Sequence, residues 1–480
     1  VTLSVFDAAR EEPARVALVS DGATVTYREL ADRVERRLGE LLVAGALDNA
    51  GERPVAVVMT PTIRTVETLL ALFAAGTPAL LLHTRGTKDE RARLVERAGA
   101  IHEPPEIAGF VPNVRLPDRL DPERIAAIVP TSGTTGAPKL ARLSHRALVA
   151  AAHASAAHLG TPPDDRWLVA LPLAHVAGLS ILTRTLVARR AVVLFDPDGP
   201  LFARLDPLAA TLAEKDVTLV SLVPTVLDRL IAEPVSFRPG PKLRAVLVGG
   251  APVPRELLAR AHAAGIPVLT TYGLTETCGQ VATRPYAERL TPPPAGDLAP
   301  SGVPLPGVLV HSVGDVIEVR GRTLFSGYVG EPGSNPGMSW FRTRDRGHFD
   351  AEGALVVTGR TDDVVITGGE NIDPVEVEAA LVSLPGIDAA CVLGVPDSTF
   401  GQAVAALIVT ASEAPRSVEA IRSALETRLA SYKLPRRVAV VGSLPALASG
   451  KIDRAQARAL AESTFRPLVA APRPRAHRRG

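Results

Sequence analysis

The sequence predicts an α/β protein: a large N-terminal domain of parallel-sheet α/β subdomains with a small β-rich module, followed by a small α+β C-terminal domain. Three observations carry this. Short apolar runs alternate with helical periodicity up to Thr291, which implies largely parallel sheets covered on both faces. At Thr291 the layering stops, and Pro292, Pro293 and Pro294 lead into short glycine-punctuated strands such as 316–319. After Gly359-Arg360 the order changes again, to a helix at 375–382, extended runs at 389–395 and 403–409, and a helix at 418–429.

Taken along the chain, Thr26-Tyr27-Arg28-Glu29 has capping-box spacing, and Leu30, Val34, Leu38 and Leu41 recur on one helical face behind it. Residues 55–59 read as a buried strand, 66–75 as a helix stopped by Gly76, and 79–82 as the next strand, which makes a βαβ unit. Further strands are expected at 126–129, 168–171, 191–195, 218–223, 245–248 and 268–270. The expected divisions are 1–361 for the N-terminal domain, with the β-rich module at about 291–358, then 362–465 for the C-terminal domain. Residues 466–480, with Arg466, Arg473, Arg475, Arg478 and Arg479 among prolines, read as a solvated disordered tail.

A chain of 480 residues suffices for two to four structural units and a large core. Its formal net charge of +2 supplies no field of one sign to recruit nucleic acid or an anionic membrane. The most apolar early stretch, 69–82, is broken by Gly76 and Pro78 and falls short of the ~20 residues of a membrane span. The opening VTLSVFDAAREEPARVALV has no basic region before a long apolar run and does not read as a signal peptide. Cys278 and Cys391 form neither a CxxC spacing nor a disulfide framework. These features fit a cytoplasmic protein and leave a homodimer open.

The most informative stretch is Val129-Pro130-Thr131-Ser132-Gly133-Thr134-Thr135-Gly136-Ala137-Pro138-Lys139, directly after an apolar strand. Glycines let backbone N–H groups converge, the hydroxyls of Thr131, Ser132, Thr134 and Thr135 add donors, and Lys139 adds a point charge, a composition suited to polyphosphate. It is not a Walker loop, because no Gly-Lys-Ser/Thr follows at the required spacing. The stretch resembles the phosphate loop of the adenylate-forming superfamily, which comprises acyl-CoA synthetases, peptide-synthetase adenylation domains and luciferases. The resemblance continues through Pro172-Leu173-Ala174-His175-Val176-Ala177-Gly178-Leu179 (acyl pocket) and Thr271-Tyr272-Gly273-Leu274-Thr275-Glu276-Thr277 (adenine and magnesium). It extends to Phe341-Arg342-Thr343-Arg344-Asp345 (ribose), Gly359-Arg360-Thr361-Asp362 (hinge), Gly368-Gly369-Glu370-Asn371 (thiol tunnel) and Leu447-Ala448-Ser449-Gly450-Lys451-Ile452 (catalytic lysine).

The resemblance implies ATP, Mg²⁺ and coenzyme A as partners of a small-molecule carboxylic acid, and a C-terminal domain that moves. A carboxylate is a poor electrophile, so one of its oxygens first attacks the α-phosphorus of ATP, expelling pyrophosphate and leaving a mixed anhydride that a thiol then opens. The anionic transition state needs positioning and charge stabilisation more than a nucleophilic side chain. On this reading Lys451 bridges carboxylate and α-phosphate, and Glu276 holds the metal. Thr131–Gly136 and Lys139 hold phosphates, while Gly250, Ala251, Thr271, Tyr272, Gly273 and Thr275 join the nucleotide site. Asp345 accepts from the ribose hydroxyls, and Arg360 donates to ribose or phosphate oxygens. His175 lines the acyl site and gates the thiol path, Gly368 and Gly369 lie against the pantetheine chain, and Asp362 is the hinge.

Each residue also has an ordinary reading outside its motif: Glu276 a surface acid, His175 a packed core histidine, Asp345 with Arg360 a surface ion pair, Lys451 a solvent lysine. Two positions depart from the family pattern, since Leu140 and Arg344 stand where glycine is usual. Within the superfamily, LPLAHVAGLSIL, VSLVPTVLDRL, TYGLTETCGQ and TGGENIDPVEVE resemble the o-succinylbenzoate–CoA ligases of menaquinone biosynthesis. Such a substrate is a dianion, and its benzoate carboxylate needs a charge or donors deep in the pocket. Arg184 and Ser221 are the candidates. A ligase for an aromatic monoacid such as benzoate or anthranilate, and acyl transfer to a carrier protein, remain alternatives. A nucleotide-binding regulator without activity is disfavoured by the presence of Lys451, Glu276 and Asp345 together.

Overall fold

Thr26 accepts a hydrogen bond from the backbone of Glu29, and the Glu29 carboxylate accepts one from the backbone of Thr26 at 2.8 Å, so the helix Tyr27–Val43 starts at a capping box. Leu30, Val34, Leu38 and Leu41 on its inner face are buried. The computed structural model describes residues 2–20, 22–47, 52–105, 114, 116, 120–131, 138–195, 205–232, 237–293, 296–331, 339–367, 370–397, 399–410, 417–447 and 451–465. The chain divides into two compact units, one of residues 1–361 with 448–451, the other of residues 362–447 with 452 onward.

In the first unit, strands Val55–Val58 and Ala79–Leu82 pair in parallel around the helix Ile63–Ala75, which ends at Gly76 in the left-handed region, φ 70°. They belong to a five-stranded sheet ordered Ile101–His102, Val55–Val58, Ala79–Leu82, Ile125–Thr131, Lys139–Ser144. Its last pairing is antiparallel and brings Thr131 opposite Lys139. A second sheet has nine strands, ordered Val303–Pro304, Gly279–Thr283, Val268–Leu274, Ala245–Gly249, Leu219–Leu222, Arg166–Val169, Ala191–Leu194, Val16–Ser20, Ala23–Thr26. Its centre is parallel, as the buried apolar runs predict, and both edges are antiparallel. Strands Val308–Val313, Val316–Gly321, Phe341–Phe349 and Leu355–Arg360 form an antiparallel sheet of their own.

Two elements differ from expectation. The strand expected at 268–270 runs on to Leu274, so Thr271–Leu274 lie within it rather than after it. The extension is possible because Gly273 faces Gly279 so closely that a Cβ there would be 2.1 Å from the Gly279 carbonyl oxygen. The helix expected at 418–429 ends at Leu425, and Arg428 N–H donates to Leu425 O at 2.9 Å in the turn that follows.

The second unit packs strands Glu370–Ile372, Val365–Thr367, Gly401–Thr410, Ile387–Asp397 and Arg437–Val440 with helices Pro374–Val382, Val418–Leu425 and Arg454–Thr464. Arg454 donates to Glu378 at 2.5 Å and to the carbonyl of Val392 at 2.9 Å, and lies 3.4 Å from Asp363. Among the described residues no helix is long and apolar enough to cross a membrane. Cys278 and Cys391 are both buried with free thiols.

One ion network in the first unit is centred on a fully buried arginine. Arg37, 0% exposed, donates to Glu40 at 2.8 Å, Glu103 at 2.7 Å and Thr68 at 2.9 Å. Removing one partner of such a network leaves uncompensated buried charge. Arg37→Ala is therefore expected to destabilise the first unit by about 3 kcal/mol. Thermal unfolding would show it as a lowered transition, and an unchanged midpoint would contradict the assignment.

Candidate active site

Strand Ala245–Gly249 ends at Gly250, whose φ of 82° suits glycine and whose added Cβ would lie 3.0 Å from Cε of Lys451. Lys451 groups with the first unit, and its amine sits beside Gly250; the next residue, Ala251, is exposed. Its side chain keeps contact with solvent, while the ammonium itself is densely surrounded; that crowding pushes its pKa down, against the charge of Asp345 and with that of Arg360.

Gly249 pairs with Thr271 on the neighbouring strand. Next to Thr271, the Tyr272 hydroxyl donates to Asp345 Oδ2 at 2.7 Å, and Arg360 Nη1 donates to Asp345 Oδ1 at 3.3 Å. Asp345 and Arg360 are direct partners in the register of Phe341–Phe349 with Leu355–Arg360. Burial, followed by the Asp345 charge, pushes the Tyr272 phenol well up, so it remains a donor. Thr275 and Glu276 occupy the 3₁₀ turn Thr275–Thr277, where the carbonyl of Thr275 accepts from Cys278 N–H at 3.1 Å. Half-buried Glu276 accepts a 2.6 Å hydrogen bond from the Tyr328 hydroxyl.

Thr131 donates to the carbonyl of Lys139 at 3.2 Å. Lys139 is ion-paired with Glu331 at 2.8 Å and lies over the Tyr328 ring, 4.4 Å from its centroid. Ser132, Gly133, Thr134, Thr135 and Gly136 lie outside the described residues, as do Gly368 and Gly369. Asp362 is exposed and stands at the division between the units.

Among the described residues no three His, Cys, Asp or Glu side chains converge on a metal site. A single oriented carboxylate fits magnesium, which is usually held by one or two carboxylates together with water and substrate phosphates.

The acyl side is built on the helix Val176–Ala188. His175 is its N-cap residue, without a capping side-chain hydrogen bond, and its Nε2 is buried with no partner. Its ring lies 5.2 Å from that of His83. Burial, with smaller contributions from His83 and Lys451, pushes its pKa down to about 4, so the imidazole is neutral at pH 7. Arg184 on the same helix is 7% exposed and pushed down to about 9 by burial, which still leaves it cationic at neutral pH. Its Nε has no hydrogen-bond partner, and its guanidinium lies over Trp167, 5.2 Å from the ring centroid. A Cβ added at Gly279 would stand 3.2 Å from Arg184 Nη2, so the cation reaches the segment just after the Thr271–Thr277 motif. Ser221 is buried in the strand Leu219–Leu222 and shares a face with Leu219, which lines a cleft with Arg184 and Trp167.

The geometry brings Lys451, Gly250, Asp345, Arg360, Tyr272 and Glu276 into one neighbourhood and gives the two departures a place. Leu140 is 1% exposed in a cluster with Ala56, Leu80, Leu82 and Ile128, so it fills core. Arg344 is exposed, and its charge acts on the Tyr328 phenol. Tyr328, His83 and Trp167 escaped the reading of the sequence. Each is an isolated aromatic or imidazole, and only the pairing of distant strands joins them to the site.

Gly250 and Thr271, with Lys451 beside Gly250, stand at the carboxyl ends of parallel strands, where open α/β sheets bind their ligands, and the comparisons define the class. Residues 5–103 and 102–329 match the AMP-binding enzyme family and residues 376–451 the AMP-binding enzyme C-terminal domain; the chain belongs to this family. More narrowly, it is similar to 2-succinylbenzoate–CoA ligase from Geobacillus kaustophilus, 34% identical over 493 residues that span 94% of this chain and 96% of that protein. The Bacillus subtilis (strain 168) ligase of the same name is 31% identical, over 92% of this chain and 95% of its own. The solved o-succinylbenzoate CoA synthetase from Bacillus subtilis in complex with its acyl-adenylate intermediate aligns with a TM-score of 0.84 and 28% identity, covering 95% of this chain and 98% of that one. Its complex with ATP and magnesium ion gives 0.82 and 29%, over 94% and 98%.

Proposed function

We propose that this enzyme converts o-succinylbenzoate into its coenzyme A thioester through an acyl-adenylate. The chain is an AMP-forming acyl-CoA ligase, and ATP, Mg²⁺ and coenzyme A are its partners. Its use of ATP and coenzyme A supports a cytoplasmic enzyme. The observation that carries the choice of acid is Arg184. Among the described residues no carboxylate compensates this buried guanidinium, which is costly, and a dianionic substrate supplies one.

Adenylation follows from the arrangement. Arg184 takes the distal benzoate carboxylate, with Ser221 as a further donor, and so orients the succinyl carboxylate towards the nucleotide. Asp345 accepts from the ribose hydroxyls and Arg360 donates beside it. Lys451 spans the attacking carboxylate and the α-phosphate, where negative charge accumulates as pyrophosphate leaves. When bound, Mg²⁺ at Glu276 neutralises charge on the phosphate oxygens. Neutral His175 lines the acyl site without adding a second cation beside Lys451. Residues 362–465 act as a mobile domain that rotates at Asp362; Lys451, which groups with the first unit in this structure, leaves it in that motion so that the thiol can enter along Gly368 and Gly369.

The direct test is pyrophosphate release and thioester formation across a panel of carboxylic acids with coenzyme A present. Preference for benzoate or anthranilate over o-succinylbenzoate would reject the substrate assignment. Proline fixes φ, so Asp362→Pro is expected to spare acid-dependent pyrophosphate release and to slow thioester formation by at least about tenfold. An undiminished second half-reaction would remove Asp362 as the hinge.

A further inference from the structure

We propose that Tyr328 is a positioning residue that holds Glu276 in the orientation the magnesium–nucleotide complex requires and ties that carboxylate to the Lys139 end of the phosphate loop. The inference rests on Glu276 as the metal carboxylate and adds the element that fixes it.

A short segment joins two otherwise separate parts of the nucleotide site. Phe325 N–H donates to the carbonyl of Glu276 at 2.9 Å, which fastens one end of the segment to the 3₁₀ turn. Ser326 N–H donates to Arg142 O at 2.7 Å, Arg142 N–H to Gly327 O at 3.0 Å, and Val329 N–H to Leu140 O at 2.9 Å, which fasten the other end to the strand Lys139–Ser144. Tyr328 itself bridges to Ala141. The strap leaves the Tyr328 side chain little freedom, and the ring is braced further by Phe325, edge to face with centroids 4.9 Å apart.

From that fixed ring two contacts reach functional groups. The hydroxyl donates to Glu276 Oε1 at 2.6 Å, within the range of a charge-assisted O–H···O⁻ bond. The ring face carries the Lys139 ammonium, 4.4 Å from its centroid, and Lys139 is also paired with Glu331. A carboxylate that binds a metal is commonly oriented by a hydrogen-bond partner of this kind.

Tyr328→Phe isolates the hydroxyl, since it keeps the packing against Phe325 and the ring face under Lys139. Titration calorimetry without acid should show metal-dependent ATP binding, read with Mg²⁺ and with Mn²⁺, weakened about tenfold. ATP binding in EDTA, the thermal midpoint, and thioester formation from supplied acyl-adenylate should be unchanged. Tyr328→Leu removes the ring face as well and should weaken ATP binding in EDTA too. Unaltered metal-dependent binding in Tyr328→Phe would overturn the proposal, as would a uniform loss of midpoint and of both half-reactions, which is the mark of a purely structural role. Glu276→Gln is the control for the underlying assignment: if it lost metal-dependent binding while Tyr328→Phe kept it, only the positioning role would fall, and if it kept that binding, both ideas would fall.

Discussion

Lys451→Ala is expected to lower acid-dependent pyrophosphate release about 10²- to 10³-fold, the effect of removing one preorganised donor from an anionic transition state. Thioester formation from supplied acyl-adenylate should be spared. The amine stands beside Gly250, and its pKa responds to Asp345 and Arg360, residues proposed here to hold the nucleotide. Burial lowers the pKa of the ammonium, opposed by the Asp345 charge and reinforced by that of Arg360. Lys451→Arg keeps charge but replaces a compact ammonium with a planar fork, and should recover little. Equal loss of both half-reactions would contradict a role confined to adenylation.

Arg184→Met is the second large effect. Hydrogen bonds to charged groups contribute about 1.5–3 kcal/mol, so kcat/KM for o-succinylbenzoate should fall roughly 10- to 100-fold, with the loss mainly in KM. Benzoate, which has no second carboxylate for this cation, should be affected far less. The unliganded variant should be at least as stable as the parent, because methionine fills the space beside Trp167 without a buried charge that lacks a carboxylate partner. A uniform loss across acids together with a lowered thermal midpoint would identify Arg184 as a packing residue and reject diacid recognition.

Much of the scaffold is legible in the sequence because its signals are local. The capping box at Thr26 and Glu29, the glycine that ends the helix Ile63–Ala75 and the apolar runs of the central strands act over a few residues, and each element stands where these signals put it. The family and its chemistry are legible as well, since Glu276, Asp345 and Lys451 stand in motifs whose order along the chain carries information. Less visible was the length of the strand Val268–Leu274, because the apolar signal ends at Thr270 while the backbone pairing with Gly279–Thr283 continues.

The sequence by itself determined the class of fold and the reaction. Only the tertiary structure decided how those residues are held: Tyr272 and Arg360 on Asp345, Tyr328 on Glu276, His83 beside His175, and Arg184 buried against Trp167. The physical reason is that periodicity and capping depend on near neighbours, whereas a hydrogen bond between residues 52 apart in the chain, such as that from Tyr328 to Glu276, exists only after separate elements have packed.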